Sequence, residues 1–292
     1  MTETDSATTQ TTAPVLPATL RLGPVHLIVT DLDRSVAFYQ DAIGLRVHRR
    51  EDAIAALGAG AEDLLVLVRE PQARRAGRHA GLYHVALLHP SRIELARAAL
   101  RLVATGTPIS GASDHGISEA IYLPDPDGNG LELAADRPRA EWPDLGNLAA
   151  GPLPLDVQRL LGLVAGEERC HHADPELSVG HVHLHVGSIQ EGLGFYRDVI
   201  GFEVMTLMPS AAFVAAGGYH HHLGFNTWRG EGVPRAPADT VGLRHWTVEL
   251  DAPAVAALRA RAAAAGLAFE ELDEGMLLRD PWGTAVLVRG LP

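Results

Sequence analysis

A chain of 292 residues, 47% apolar and 21% charged, is long enough for two soluble domains with cores of their own. Its formal net charge of -12 opposes unaided binding to nucleic acid or anionic membranes, and no stretch reaches the roughly 18 apolar residues of a membrane span. A small neutral or metal-coordinating substrate is expected, with no nucleic acid or membrane partner.

Residues 1–20 are rich in Thr, Ser and Pro and read as a disordered tail rather than a signal peptide. Val25–Val29 is a short β-branched strand, and apolar Leu32, Val36, Tyr39 and Ile43 then mark an amphipathic helix stopped by Gly44. An apolar run, Leu64–Val68, has strand length. Tyr83–Leu88 opens a second unit, in which Ser91 and Glu94 form a capping box for a helix over Ile93–Val103, closed by Gly106. Two further strands, Ala120–Leu123 and Leu131–Ala134, flank a tight Pro, Asp and Gly turn.

The segment 137–178 reads as a linker with one short helix within Leu155–Val164. It carries the one cysteine, Cys170, which cannot form an intramolecular disulfide and fits a reducing cytoplasm. A third unit starts at Val182 and a fourth at His245, with an alanine-rich helix over Val255–Ala265. Val25–Val47 and Val182–Val204 match at 10 of 23 positions at an offset of 157, so the chain is a duplication. The expected architecture is α+β: four βαβββ units, paired within each half into two domains, 21–136 and 179–292, each a curved mixed sheet with a concave face.

His26 and His84 lie on the first strands of the first two units, and Glu132 lies between leucines on a last strand. Two imidazoles and a carboxylate on three strands suit non-haem Fe(II), and Mn(II), Ni(II) or Zn(II) could also occupy such a set. Tyr122 precedes Glu132 by ten residues across the tight turn, which predicts neighbouring antiparallel strands facing one cavity. His115 lies just before the strand carrying Tyr122. A histidine and a phenol there could move protons during catalysis; a surface histidine and a packed tyrosine are the alternatives.

His-Leu-x-Val-x-Asp-Leu-x-x-Ser-x-x-Phe-Tyr, from His26 to Tyr39, and Asp-Pro-Asp-Gly-Asn-Gly-Leu-Glu, from Asp125 to Glu132, resemble the vicinal oxygen chelate superfamily of glyoxalases, bleomycin resistance proteins and dioxygenases. The run from Gly217 to Trp228 is similar to two-domain catechol-2,3-dioxygenase-like proteins. That resemblance implies Fe(II)-dependent extradiol cleavage of a small aromatic diol with O₂ to a muconic semialdehyde. It assigns the metal to His26, His84 and Glu132 and catalysis to His115 and Tyr122, in a protein that can pair as a homodimer.

The second half departs from the pattern, with Leu287 and Leu277 at the places of Glu132 and Tyr122, and reads as scaffold. A His183, His222 and His245 cluster is the second-choice metal site. A glyoxalase-type isomerase or lyase and a non-catalytic binding or resistance protein are the competing functions.

Overall fold

The computed structural model describes residues 15–143 and 151–291. The first unit comprises β1 (Arg21–Leu22), β2 (Val25–Val29), α1 (Leu32–Phe38) running into a π-helical turn (Tyr39–Ile43), β3 (Arg46–Arg50), β4 (Ile54–Gly58) and β5 (Leu65–Arg69). The second comprises β6 (Gly81–His89), α2 (Arg92–Thr105), β7 (Gly111–Asp114), β8 (Ser118–Pro124) and β9 (Gly130–Asp136). The connection contributes β10 (Leu153–Pro154) and α3 (Val157–Gly162). The third unit comprises β11 (Ser178–His185), α4 (Ile189–Leu193) with its own π-helical turn (Gly194–Ile200), β12 (Glu203–Met208), β13 (Ala211–Ala215) and β14 (Leu223–Asn226). The fourth comprises β15 (Gly242–Leu250), α5 (Ala252–Ala264), β16 (Phe269–Leu272), β17 (Gly275–Arg279) and β18 (Ala285–Gly290).

The helix ends follow from capping chemistry. Asp31, Ser91, Ser188 and Asp251 each accept a backbone N–H of the first turn, and Gly44 and Gly106 take the left-handed conformation past the helix end. Among the described residues no helix is long and apolar enough to cross a membrane.

The four units build two nine-stranded sheets, but their partners are exchanged between the halves. One sheet runs β16-β17-β18-β15-β2-β5-β4-β3, with β1 on β15, and so joins the fourth unit to the first. The other runs β10-β7-β8-β9-β6-β11-β14-β13-β12 and joins the second to the third. Pairing within each half, expected from the duplication, is therefore corrected. All four first strands carry the same pattern, so the register of any pair is equally satisfied, and hydropathy alone does not choose the partner.

Each half is tied together through other contacts. The Tyr39 hydroxyl donates to Asp125 Oδ2 at 3.2 Å, and the Tyr196 hydroxyl donates to Asp280 Oδ2 at 2.9 Å. Each aspartate also accepts two backbone N–H groups of its own turn, at 2.8 to 2.9 Å. Arg101 on α2 reaches the Ile43 carbonyl at 3.1 Å, and Arg261 on α5 reaches those of Val199 and Ile200. The two repeated motifs thus bind each other within a half, while the strands bind across halves.

Alternation along the central strands separates two faces. Val25, Leu27 and Val29 in β2, and Val182 and Leu184 in β11, pack into one continuous core that draws on all four units. Residues 15–20 differ from the expected tail: Leu16 and Leu20 are buried, and Leu16 N–H donates to the Gly201 carbonyl at 3.0 Å. Two leucines four residues apart suffice to dock that segment. The remainder of the expected tail, 1–14, lies outside the described residues.

His89 ends β6 on the core side, 2% exposed, and neither ring nitrogen has a hydrogen-bond partner. Burial, with Arg101 nearby, lowers its pKa to about 3. The unfolded chain then takes up a proton near pH 6.5 that the folded chain refuses until about pH 3. Stability is unaffected above that window and falls by about 1.4 kcal/mol per pH unit within it. Replacing His89 with Leu should remove that increment, seen as a shallower acid dependence of the urea midpoint between pH 6.5 and 4; an unchanged dependence would refute it.

Candidate metal centre

The centre is built around β6, which pairs parallel with β9 and antiparallel with β11. Ala86 faces Glu132 on one neighbour and His181 on the other, and His84, two residues earlier, projects from the same face. Their donor atoms converge: His84 Nε2 lies 2.9 Å from Glu132 Oε2, His181 Nε2 lies 3.2 Å from the same oxygen, and the two imidazole nitrogens are 3.2 Å apart. All three residues are at most 5% exposed. Ala86 leaves open the space between them, because a longer side chain there would point between the flanking ligands.

Burial alone would raise the Glu132 carboxyl, but His181 and His84 beside it hold it well below the usual carboxylate range. A buried carboxylate with two imidazoles and no other compensating cation is a metal-ligand set by chemistry as well as by spacing. Among the described residues, this is the group of His, Cys, Asp and Glu side chains whose donor atoms come close enough to hold one ion. His84, Glu132 and His181 form a two-histidine, one-carboxylate metal site.

Tyr122 is the direct cross-strand partner of Glu132, as the ten-residue spacing predicts. Its hydroxyl lies 2.7 Å from His115 Nε2. Burial, then Glu132, pushes the phenol well above its ordinary pKa, and burial lowers His115, so both groups are neutral and share a hydrogen bond whose donor is set by the imidazole tautomer. On the other flank His221 packs against His181 with ring centroids 4.1 Å apart. His221 Nδ1 meets His220 Nδ1 at 2.8 Å, and His220 Nε2 meets Asp136 Oδ1 at 3.1 Å. Next to His84, His183 Nε2 accepts from Asn226 Nδ2 at 2.9 Å. Tyr83 and Trp228, both partly exposed, contact His183 at the edge of the site.

Of the five residues singled out from sequence, the structure brings together His84, Glu132, Tyr122 and His115, but not His26. His26 lies in the other sheet, where it pairs with His245 and stacks on it at 3.9 Å. Burial, His245, and the charges of Arg244, Arg289 and Arg49 lower its pKa to about 3, surroundings that disfavour a cation. The third imidazole is His181. A signal for it exists in the sequence: His181-Val182-His183-Leu184 aligns with His84-Val85-Ala86-Leu87, whereas the first unit has Pro24 at that place. Matching Val-His-Leu with Val-His-Leu instead selects a histidine two residues too late.

The His183, His222 and His245 cluster does not assemble. His245 is in the other sheet, His183 is engaged by Asn226, and His222 Nδ1 accepts the Ala216 N–H at 3.2 Å. In that other sheet Leu287 pairs with Leu277, and with Ala285 they form a small apolar cluster where Glu132 and Tyr122 stand in the first.

The family model for the Glyoxalase/Bleomycin resistance protein/Dioxygenase superfamily matches residues 21–133 and 178–286, and the chain belongs to that superfamily. A catechol-2,3-dioxygenase of Bacillus subtilis (strain 168) is 41% identical over 268 residues, covering 89% of this chain and 93% of that protein. Among solved structures, a Bacillus subtilis protein described as a candidate dioxygenase superposes with TM-score 0.67 at 13% identity, covering 96% of this chain and 87% of its own. Maize glyoxalase I superposes with TM-score 0.59 at 17% identity, covering 92% of each.

Replacing Glu132 or His181 with Ala should abolish metal retained through gel filtration, measured by elemental analysis, while the His26→Ala protein retains it. Ala86→Val should also lose metal without unfolding, because its methyl groups occupy the space between the ligands. Retention by the His181→Ala protein together with loss from the His26→Ala protein would move the site to the other sheet.

Proposed function

We propose that the protein is an Fe(II)-dependent extradiol dioxygenase that opens the ring of a catechol-type diol with O₂. One observation carries this reading: His84, Glu132 and His181 stand on one face with proton-handling groups on both flanks, in a chain 41% identical to a catechol-2,3-dioxygenase over nearly its whole length. His84, Glu132 and His181 would hold Fe(II), which would supply the electron path between a bound diol and O₂. A fourth protein ligand is lacking where the pseudo-symmetry of the sheet would put one. Gly224, parallel partner of His183, occupies the place that Glu132 holds beside Ala86. This favours ring cleavage over a glyoxalase-type reaction.

The residues around the metal divide the proton work. Asp136, as acceptor, draws the Nε2 proton of His220, so His220 Nδ1 accepts and His221 Nδ1 donates. His221 Nε2 is then left with a lone pair, on a ring packed against His181, and could take a proton from a diol hydroxyl. Burial, then His181, lowers its pKa well below the ordinary value, so the ring is neutral in the free protein. On the opposite flank the Tyr122 hydroxyl, protonated and oriented by His115, can donate to an oxygen of the substrate. Tyr83 and Trp228 offer aromatic faces at the edge of the site for a ring.

Protein reconstituted anaerobically with Fe(II) should consume O₂ with catechol and form a yellow ring-opened product. An iron-loaded protein that consumes no O₂ with any of several substituted catechols would defeat the assignment. Tyr122→Phe and His115→Ala should keep the metal and slow turnover roughly 10²-fold. Unchanged rates would remove those two from the chemistry.

A further inference from the structure

At one end of the molecule a cleft of 560 Å³ opens between the first strands β6 and β15, the Asp127 and Gly283 turns, and the loops 70–80 and 229–241. Five arginines line it: Arg75, Arg229, Arg235, Arg244 and Arg279. This concentration stands out on a chain of net charge -12. The one carboxylate in the lining, Asp127, is already saturated, accepting from Thr30 N–H at 3.0 Å, from the Thr30 hydroxyl and from Arg34 at 2.6 Å.

The arginines are poorly compensated. Arg75 and Arg235 have neither hydrogen bond nor ion pair among the described residues. Arg244 comes no nearer than 3.8 Å to Glu70, and Arg279 makes long bonds alone, 3.5 Å to Glu270 and 3.4 Å to the Gly283 carbonyl. Arg229 is spent on the His79 carbonyl at 2.9 Å, a neutral acceptor. Arg75 and Arg235 occupy corresponding positions in the two halves. Each lies against the glycine of an Asp turn, Arg75 at Gly128 (φ +93) and Arg235 at Gly283 (φ +81), and at Gly283 a side chain would collide with the guanidinium.

The walls are also preformed. The two loops are stitched by backbone hydrogen bonds, Arg74 N–H to the Asp239 carbonyl, Val241 N–H to that of Arg74 and Ala80 N–H to that of Pro234, all 2.8 to 2.9 Å. Arg74 and Asp239 add a bidentate ion pair. A ligand would therefore meet a fixed set of donors and avoid the entropic cost of ordering two loops.

We propose that this cleft binds a small dianion, carried on carboxylates or on a phosphate, between guanidinium forks contributed by both halves of the chain. Planar forks with free N–H groups match these oxyanions in a way that single ammonium groups do not. The cleft shares no lining residue with the His84, Glu132 and His181 site, so the proposal stands independently of the dioxygenase reading.

Calorimetric titration at fixed ionic strength, with inorganic phosphate in one arm, phthalate in another and chloride as control, tests it. Saturable binding of either dianion is expected, weakened at least about tenfold in the Arg75→Gln/Arg235→Gln protein and unchanged by Arg159→Gln, on α3 outside the cleft. The ligand-free melting temperature verifies that the double variant folds; should it fail to, each single variant is expected to weaken binding. Binding no stronger than chloride in both arms, or equal in wild type and the folded arginine variants, would overturn the proposal.

Discussion

The antiparallel seam between β6 and β11 is the constraint on which the site depends. It is the joint between the two halves of the chain in one sheet, and its register sets Ala86 opposite His181 and His84 opposite His183. A slip of one residue would turn His181, His183 and His185 into the core and expose Val182 and Leu184 in their place. The hydrophobic burial that fixes the sheet therefore also fixes the metal ligands. The imidazoles need no stability of their own to stay in position, since Val182 and Leu184 hold the strand from the other side.

A second set of interactions makes that seam possible. The Tyr39 to Asp125 and Tyr196 to Asp280 hydrogen bonds bind the helical layer of one unit to the tight turn of the next, within a half. Burial raises the pKa of Asp280 to about 6, yet it remains satisfied by Tyr196 and two backbone N–H groups of its turn. With each half clamped in this way, its two central strands, β2 and β6 or β11 and β15, go to different sheets and find their partners in the other half. The Phe-Tyr and Asp-Pro motifs that advertise the duplication are its clamps, and the metal ligands are arranged by what they leave free.

Much of this was legible in the sequence. Unit boundaries, helix caps, the tight turn and the Tyr122 to Glu132 adjacency follow from periodicity and turn chemistry, which are local. The partner exchange is not local, because four equivalent first strands compete for the same edges. The mistaken third ligand has a sharper cause. The expectation of His26 rests on pairing the first two units within one half, which would set β2 beside β6, whereas β11 takes that place and brings His181 and His183 with it. The cross-strand register then shows that the histidine beside Ala86, rather than the one beside His84, reaches Glu132.

The exchange also changes what the duplication means for function. Because every sheet takes one unit from each half, neither half could hold a complete site alone: His84 and Glu132 come from the first and His181 from the second. The chain carries two potential centres, one per sheet. In the sheet of the first and fourth units, Pro24 replaces the His181 equivalent, Leu287 replaces Glu132 and Leu277 replaces Tyr122, so His245 is the one ligand type left. Leucines packed with Ala285 seal the concave face that a metal would require, and that sheet gains apolar burial instead. Its remaining histidines stack on each other as neutral rings among arginines, a packing compatible with the scaffold and incompatible with a cation.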